Sequence, residues 1–275
     1  MTTLDDTNHG LATNRGCPLR GLTAPSKSIA CPFTRSLVFA YGMTAYLLFF
    51  AAITYAIGFV GNWFVPKSID SGVTGSLPIA LCINLGLLTL FAVQHSVMAR
   101  PGFKRWWTRF IPECMERSTY VLFASVILLA TYALWRPLPT IVWDIQWMPA
   151  RIGLSVLALV GWMCLFASSA MVSHGDLFGV RQVWHVLRRR TYKPVEFREV
   201  GFYKHVRHPL MTSFFIAFWS TPTMTLGHLL FAGMCSAYIL VGTTLEERDL
   251  IAEFGDRYER YRRVVPAFIP RLRGN

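Results

Sequence analysis

Four stretches of this chain carry almost no formal charge: Leu37 to Val60, Leu77 to Met98, Ser118 to Leu134 and Ile152 to Val172. Each has roughly the 17–25 residues an α-helix needs to cross a bilayer. Hydrocarbon offers no partner to a backbone amide, so each stretch must satisfy its own hydrogen bonds as a helix. The expected fold class is therefore all-α, a polytopic membrane helical bundle with four spans. Gly42, Thr54, Gly58, Gly86 and Thr89 inside them allow close helix approach. A composition 53% hydrophobic and 15% charged excludes an ordinary soluble globule.

About 35 residues precede the first span, and its apolar run is too long for the core of a cleavable signal. Residues 1–35 read as a Thr-, Gly- and Pro-rich leader, 36–173 as the four-span bundle and 174–275 as a separate functional region. Basic residues set the orientation. Lys27 and Arg35 flank the first span; Arg100, Lys104, Arg105, Arg109 and Arg117 fill the second connection; Arg181, Arg188, Arg189, Arg190, Lys193, Arg198, Lys204 and Arg207 fill the fourth. The first and third hold only Lys67, Arg136 and Arg151, so the positive-inside rule places the N-terminus and the second and fourth connections in the cytoplasm. The net charge of +12 thus gathers where anionic lipid or an anionic cofactor would meet it, and beside membrane spans it argues against nucleic acid. The six cysteines form no C-x-x-C pair and read as apolar filler, with no ligand spacing for a metal.

The pattern changes after the fourth span. A basic connection runs from His174 to Val206, and the apolar segment from Pro209 to Gly242 is interrupted at Ser220 to Thr223. One continuous span would carry the basic tail outside; a helical hairpin turning near Pro222 keeps it inside, with a short first arm, Leu210 to Trp219. Thr243 and Thr244 are then expected to cap a new helix with Glu246 and Glu247 in its first turn. Leu250, Ile251, Phe254, Tyr258 and Tyr261 recur along it at helical spacing, the pattern of an amphipathic interfacial helix.

Three clusters carry candidate chemistry. Pro209 suits a first helical position, which leaves Arg207 and His208 at a helix mouth where backbone N–H groups and a guanidinium can hold an anion; a basic membrane anchor is the competing reading. Glu246 and Glu247 are adjacent, about 100° apart on a helix, so they cannot share a proton as a dyad. One can accept hydrogen bonds from hydroxyls or an amine while the other pairs with an Arg, and surface capping explains them equally well. Finally, His95 ends the second span, and His174 with Asp176 leads through Leu177–Val180 to Arg181. A membrane histidine is costly to bury unpartnered, and a carboxylate such as Asp176 can orient an imidazole. His185 and His228 read as structural.

Gly201-Phe202-Tyr203, Arg207-His208-Pro209, Glu246-Glu247, Phe254-Gly255-Asp256-Arg257-Tyr258 and Val265-Pro266-Ala267-Phe268-Ile269-Pro270 together resemble the C-terminal region of membrane methyltransferases of the isoprenylcysteine carboxyl and phospholipid N-methyl types. Val93 to Pro101 and Asp176 to Val183 narrow the likeness to the bacterial methanethiol S-methyltransferases, membrane enzymes that make dimethyl sulfide, and more distantly to the NnrU proteins. The resemblance implies S-adenosyl-L-methionine as methyl donor, bound between the hairpin and the terminal helix. Arg207, His208 and Pro209 would form the end holding the methionine carboxylate, Tyr203 would line the pocket, and Glu246 or Glu247 would hold the ribose or adenine. Many such proteins carry an aromatic residue just after R-H-P; here Leu210 and Met211 follow.

A thiol reacts as its thiolate, so methanethiol needs a base or an electropositive pocket. His95 and His174 are the expected bases, Asp176 the group that orients one of them, and Arg181 a stabiliser of thiolate or organiser of the loop. Methylation of a lipid amine or prenylcysteine carboxylate is the alternative within enzymes; a membrane assembly or transport factor is the alternative outside them. The sequence leaves the oligomeric state open.

Overall fold

A computed structural model describes residues 31–195 and 197–271. Most of the expected leader, with Lys27, and the tail beyond Arg271 lie outside the described residues. Helices α1 (Pro32–Gly61), α2 (Leu77–Ala99), α4 (Glu113–Leu134) and α5 (Met148–Val172) cover the four apolar stretches, with the short α3 (Pro101–Trp107) between the second and third. Proline stands in the first or second position of α1, α2, α3 and α5, where its missing N–H costs nothing and its fixed φ starts the turn. Glu113 and Glu116 open α4 at the positive end of its dipole. Many large apolar side chains on these helices face outward, among them Leu47, Phe50, Ile79, Leu90, Val156 and Met163, as lipid solvation requires.

The C-terminal third meets expectation in one respect and departs from it in two. First, the expected hairpin is present, with the short first arm that was expected. Helix α8 (Pro209–Trp219) has 11 residues, about 16 Å at 1.5 Å per residue and well short of a bilayer core. Helix α9 (Leu226–Phe254) has 29 and joins α1, α2, α4 and α5 as a fifth helix long and apolar enough to cross a membrane. The protein is thus an all-α integral membrane bundle with five such helices among the described residues, the four expected spans and the second arm of the hairpin.

Second, Thr243 and Thr244 do not start a helix. Each lies inside α9 and donates its hydroxyl back to a carbonyl four residues earlier, Ile239 and Leu240 respectively, at 2.9 Å. A threonine can satisfy its hydroxyl within a helix in this way, so the polar pair does not force a boundary. Third, the expected amphipathic helix is divided. Leu250, Ile251 and Phe254 finish α9; Gly255, with φ +53°, breaks the chain; Tyr258 and Tyr261 lie on α10 (Asp256–Val264). The two halves still meet, packed with Phe197 and Val265 in one small core.

The far end of the bundle is closed by contacts that hydropathy does not reveal. Strand β1 (Ile141–Asp144) pairs antiparallel with β2 (Thr223–Thr225), tying the α4–α5 connection to the hairpin turn. Buried Asn84 of α2 donates to and accepts from the backbone of Arg136, and Trp135 donates its indole N–H to the Ile69 carbonyl. Phe59, Tyr132, Trp135, Trp162, Phe218 and Phe231 fill the core nearby. Helices α5 and α8 touch backbone to backbone at Gly161, where a Cβ would come within 2.8 Å of the Ala217 nitrogen. This contact fixes α8 with its N-terminus, and therefore Arg207 and His208, at the opposite, polar end.

Candidate active site

At the polar end the R-H-P and E-E motifs, forty residues apart, form one knot. Arg207 donates through Nε to Glu247 Oε1 at 2.7 Å, and His208 Nε2 meets the same oxygen at 2.9 Å. Arg262 of α10 approaches Glu247 Oε2 at 3.2 Å. The Arg207 and Glu247 side chains are only 11% and 12% exposed, so the pair is both charge-matched and hydrogen-bonded, as buried charges must be. The segment after α10 straps across this knot. Arg207 Nη1 donates to the carbonyls of Val265 (2.5 Å) and Arg262 (3.1 Å), and the backbone N–H groups of Arg207 and His208 donate to the carbonyls of Pro266 and Ala267.

Beside the knot lies a cavity of about 380 Å³, lined by His208, Thr243, Arg248, Arg262 and Phe268 among others. Phe268 comes from the P-x-F-I-P segment and stands 5.8 Å from the His208 ring. The strap therefore supplies an aromatic wall that the chain lacks directly after R-H-P. Glu246 faces another way from Glu247: its side chain is 51% exposed, 3.7 Å from His208 Nδ1. Burial raises the pKa of the Tyr203 hydroxyl, and the nearby Glu246 carboxylate adds to that. Burial likewise raises the pKa values of Tyr258 and Tyr261, and Tyr261 donates to the Tyr203 carbonyl at 2.6 Å.

The expected catalytic residues fall into two separate groups. His95 sits in α2 inside an aromatic box of Phe91, Tyr120 of α4 and Tyr238 of α9. Its Nε2 meets the Tyr120 hydroxyl at 2.6 Å, and its buried Nδ1 has no hydrogen-bond partner. His174 begins α6 (His174–Leu177), after Ser173 turns the chain with φ +159°. Both its ring nitrogens are occupied, Nε2 by the Tyr46 hydroxyl at 3.0 Å and Nδ1 by Ser169 Oγ at 2.9 Å. Burial lowers the His174 pKa, so the ring is held neutral.

Asp176 does not orient either histidine. Its carboxylate accepts from Ser173 Oγ at 2.5 Å and the Tyr192 hydroxyl at 2.7 Å, and it is paired with Arg181. Burial, and after it the hydrogen bond to Asp176 and the charge on that carboxylate, raise the Tyr192 pKa. Arg181 spans from Asp176 to the Lys193 carbonyl with its guanidinium 5.6 Å over the Tyr192 ring, which pins the start of α7 (Val180–Leu187) to the following loop. Spacing alone put Asp176 two residues from His174, but a single helical turn points the two side chains apart. Tyr120, Tyr238, Tyr46 and Ser169 were not singled out from the sequence. The one signal available was a phenol inside an apolar span, three residues beyond Arg117.

No family model matches the chain, and no solved structure matches it. Curated relatives do. Methanethiol S-methyltransferase 2 of Bradyrhizobium diazoefficiens is 52% identical over 240 residues, 87% of this chain and 92% of that protein. The Mycobacterium tuberculosis methanethiol S-methyltransferase is 49% identical over 86% of this chain and 97% of its own length. Nurim of Sus scrofa is a distant relative, 26% identical over 82% of this chain. Likeness at this level over most of both chains settles the classification: the chain belongs to the methanethiol S-methyltransferase family.

Proposed function

We propose that the protein methylates methanethiol to dimethyl sulfide with S-adenosylmethionine as donor, in a site at the polar end of the bundle that faces the cytoplasm of a bacterial inner membrane. The observation that carries this is the junction of the buried Arg207–Glu247–His208 knot, the adjoining cavity and the open Glu246 carboxylate. A volume of 380 Å³ falls within the roughly 300–1,000 Å³ usual for small-molecule sites.

The residues present fit a zwitterionic, hydroxyl-bearing sulfonium. The half-exposed Glu246 carboxylate, 3.7 Å from His208 Nδ1, can accept from ribose hydroxyls or an amine, and Arg248 of the cavity lining can take a carboxylate. Phe268 offers a flat apolar wall. Arg207 is already committed to Glu247 and to two backbone carbonyls, so its role is to hold the strap and the helix mouth in place. Pro209 starts α8 at that mouth, and the Glu246 charge acts on the nearby Tyr203 hydroxyl.

When bound, the sulfonium supplies an electrophilic methyl group; the chain must align the sulfur nucleophile with it and take a proton from the thiol. Of the two histidines, His95 suits the proton step better, since His174 has both nitrogens engaged in holding α1 to α5. Basic residues on the connections beside α2, α4 and α5 support the cytoplasmic orientation, and the bacterial relatives support the inner membrane.

The test is S-adenosylhomocysteine binding to the full chain in detergent, paired with headspace chromatography of cells fed methanethiol or a prenylcysteine analogue. Binding weakened by Glu246→Gln, with dimethyl sulfide formed only in expressing cells, is the expected result. Absence of binding by the wild-type protein would sink the cofactor reading; methylation of the prenylcysteine analogue alone would sink the substrate.

A further inference from the structure

We infer that Tyr120 is a further catalytic residue, the group that takes the thiol proton and passes its own hydroxyl proton to His95. The Tyr120 hydroxyl has one hydrogen-bond acceptor among the described residues, His95 Nε2 at 2.6 Å. A buried phenol that can donate will donate. It therefore points its hydrogen at Nε2, and the neutral His95 ring carries its own proton on Nδ1, which nothing else holds. The tautomer is set by Tyr120 alone. The phenol oxygen keeps a lone pair that no group among the described residues takes up.

The charged and titratable groups acting on the Tyr120 hydroxyl are Arg117 and Glu116 on its own helix, His95 on α2, and Tyr238 and Glu246 on α9. Glu246 also stands 3.7 Å from His208, and its charge acts on Tyr203. The Glu246 charge is thus felt both by Tyr120 in the histidine box and by His208, which lines the cavity. Phe91 stacks on the His95 ring at 5.1 Å and Tyr238 meets it edge-on at 6.1 Å, so the imidazole cannot swing away from the phenol. Tyr238 is itself held by the Ser96 hydroxyl at 3.3 Å. The Arg117 guanidinium lies 6.0 Å from the centre of the Tyr120 ring, where its charge favours an anion in front of the phenol.

The step balances as follows. The thiol S–H bond breaks and its proton goes to the Tyr120 oxygen; the phenol O–H bond breaks and that proton goes to His95 Nε2. The thiolate lone pair forms the new S–C bond as the sulfonium S–C bond breaks, its electrons remaining on the departing thioether sulfur. The proton on His95 returns through Tyr120 to water once the products leave, so one proton is released per turnover.

This inference rests on the proposed sulfonium cofactor, and its test separates the two. Tyr120→Phe keeps the ring and its packing but removes the relay. With methanethiol at neutral pH, kcat should fall about 10²- to 10⁴-fold, the usual range for a general acid–base group, while S-adenosylhomocysteine binding stays at the wild-type level. The loss should shrink with a small acidic thiol such as 2,2,2-trifluoroethanethiol and as pH rises, because a substrate that ionises by itself does not need the relay. His95→Gln should show the same dependence on thiol acidity. A loss equal for both thiols and at every pH would mean that Tyr120 only packs, and would overturn the proposal, as would near-normal turnover. Should Tyr120→Phe fail to fold, the thiol comparison in His95→Gln decides by the same criterion. Failure of the wild-type protein to bind S-adenosylhomocysteine overturns the cofactor reading and this step with it.

Discussion

The two histidines at the polar end are built into opposite kinds of surroundings. Around His174, Tyr46 and Ser169 close both ring nitrogens, and Phe178 covers the ring at 4.7 Å. Around His95, three aromatic rings fix the imidazole just as firmly, yet only one nitrogen is engaged and its partner is a phenol with free acceptor capacity. The first arrangement spends every polar group on joining α1, α5 and α6. The second keeps one in reserve, which is what a proton-handling group needs.

The sharpest way to break this contrast is to remove each ring. His95→Ala should lower turnover about 100-fold or more while the protein still binds S-adenosylhomocysteine, measured by headspace chromatography and calorimetry on the same preparation. Should His174→Ala produce that pattern instead, the assignment reverses. The expected effect of His174→Ala is on stability: two lost hydrogen bonds and their stranded partners should cost about 2–3 kcal/mol, seen as a lower Tm in detergent, with turnover of the folded fraction reduced less than tenfold. Tyr46→Phe removes one of those bonds and should cost about 1 kcal/mol.

The smallest effect concerns pH. Burial lowers the His174 pKa from its ordinary 6.5, so the unfolded chain binds the proton more readily than the folded one. This contribution to stability is complete above pH 6.5 and is lost as pH falls through the lowered folded value. Wild-type Tm should therefore drop more steeply below pH 6.5 than that of His174→Gln; parallel curves would show that the ring is not held neutral.

What the sequence made legible follows from how local the governing physics is. The apolar stretches yielded α1, α2, α4 and α5 because bilayer crossing depends on length and charge, both readable along the chain. The hairpin was legible from Pro222 and the charge of the tail. The continuity of α9 through Thr243 and Thr244 was not, since a threonine reads as a cap or as a back-bonded helical residue depending on what the neighbouring turn does. At the site, the likeness of the R-H-P and E-E motifs to known methyltransferases pointed to Arg207, His208, Glu246 and Glu247 as one cluster. It did not show that Arg207 and Glu247 are spent on each other, nor that Glu246 is the open one, because those outcomes depend on the rotation of α9 against α8. Asp176 was misassigned as an orienting group for the same reason: proximity in sequence says little about direction on a helical turn. Tyr120 escaped notice because its meaning comes from His95, on a different helix 25 residues away.

The strap from Val265 to Phe268 has a bearing on biosynthesis. Ribosomes deliver the chain from its N-terminus, so the residues that roof the cavity are made after every long apolar helix. Pro266 and Ala267, which receive the N–H groups of Arg207 and His208, arrive after all of them. Competence to hold a ligand is thus acquired only when this last stretch folds back over the knot.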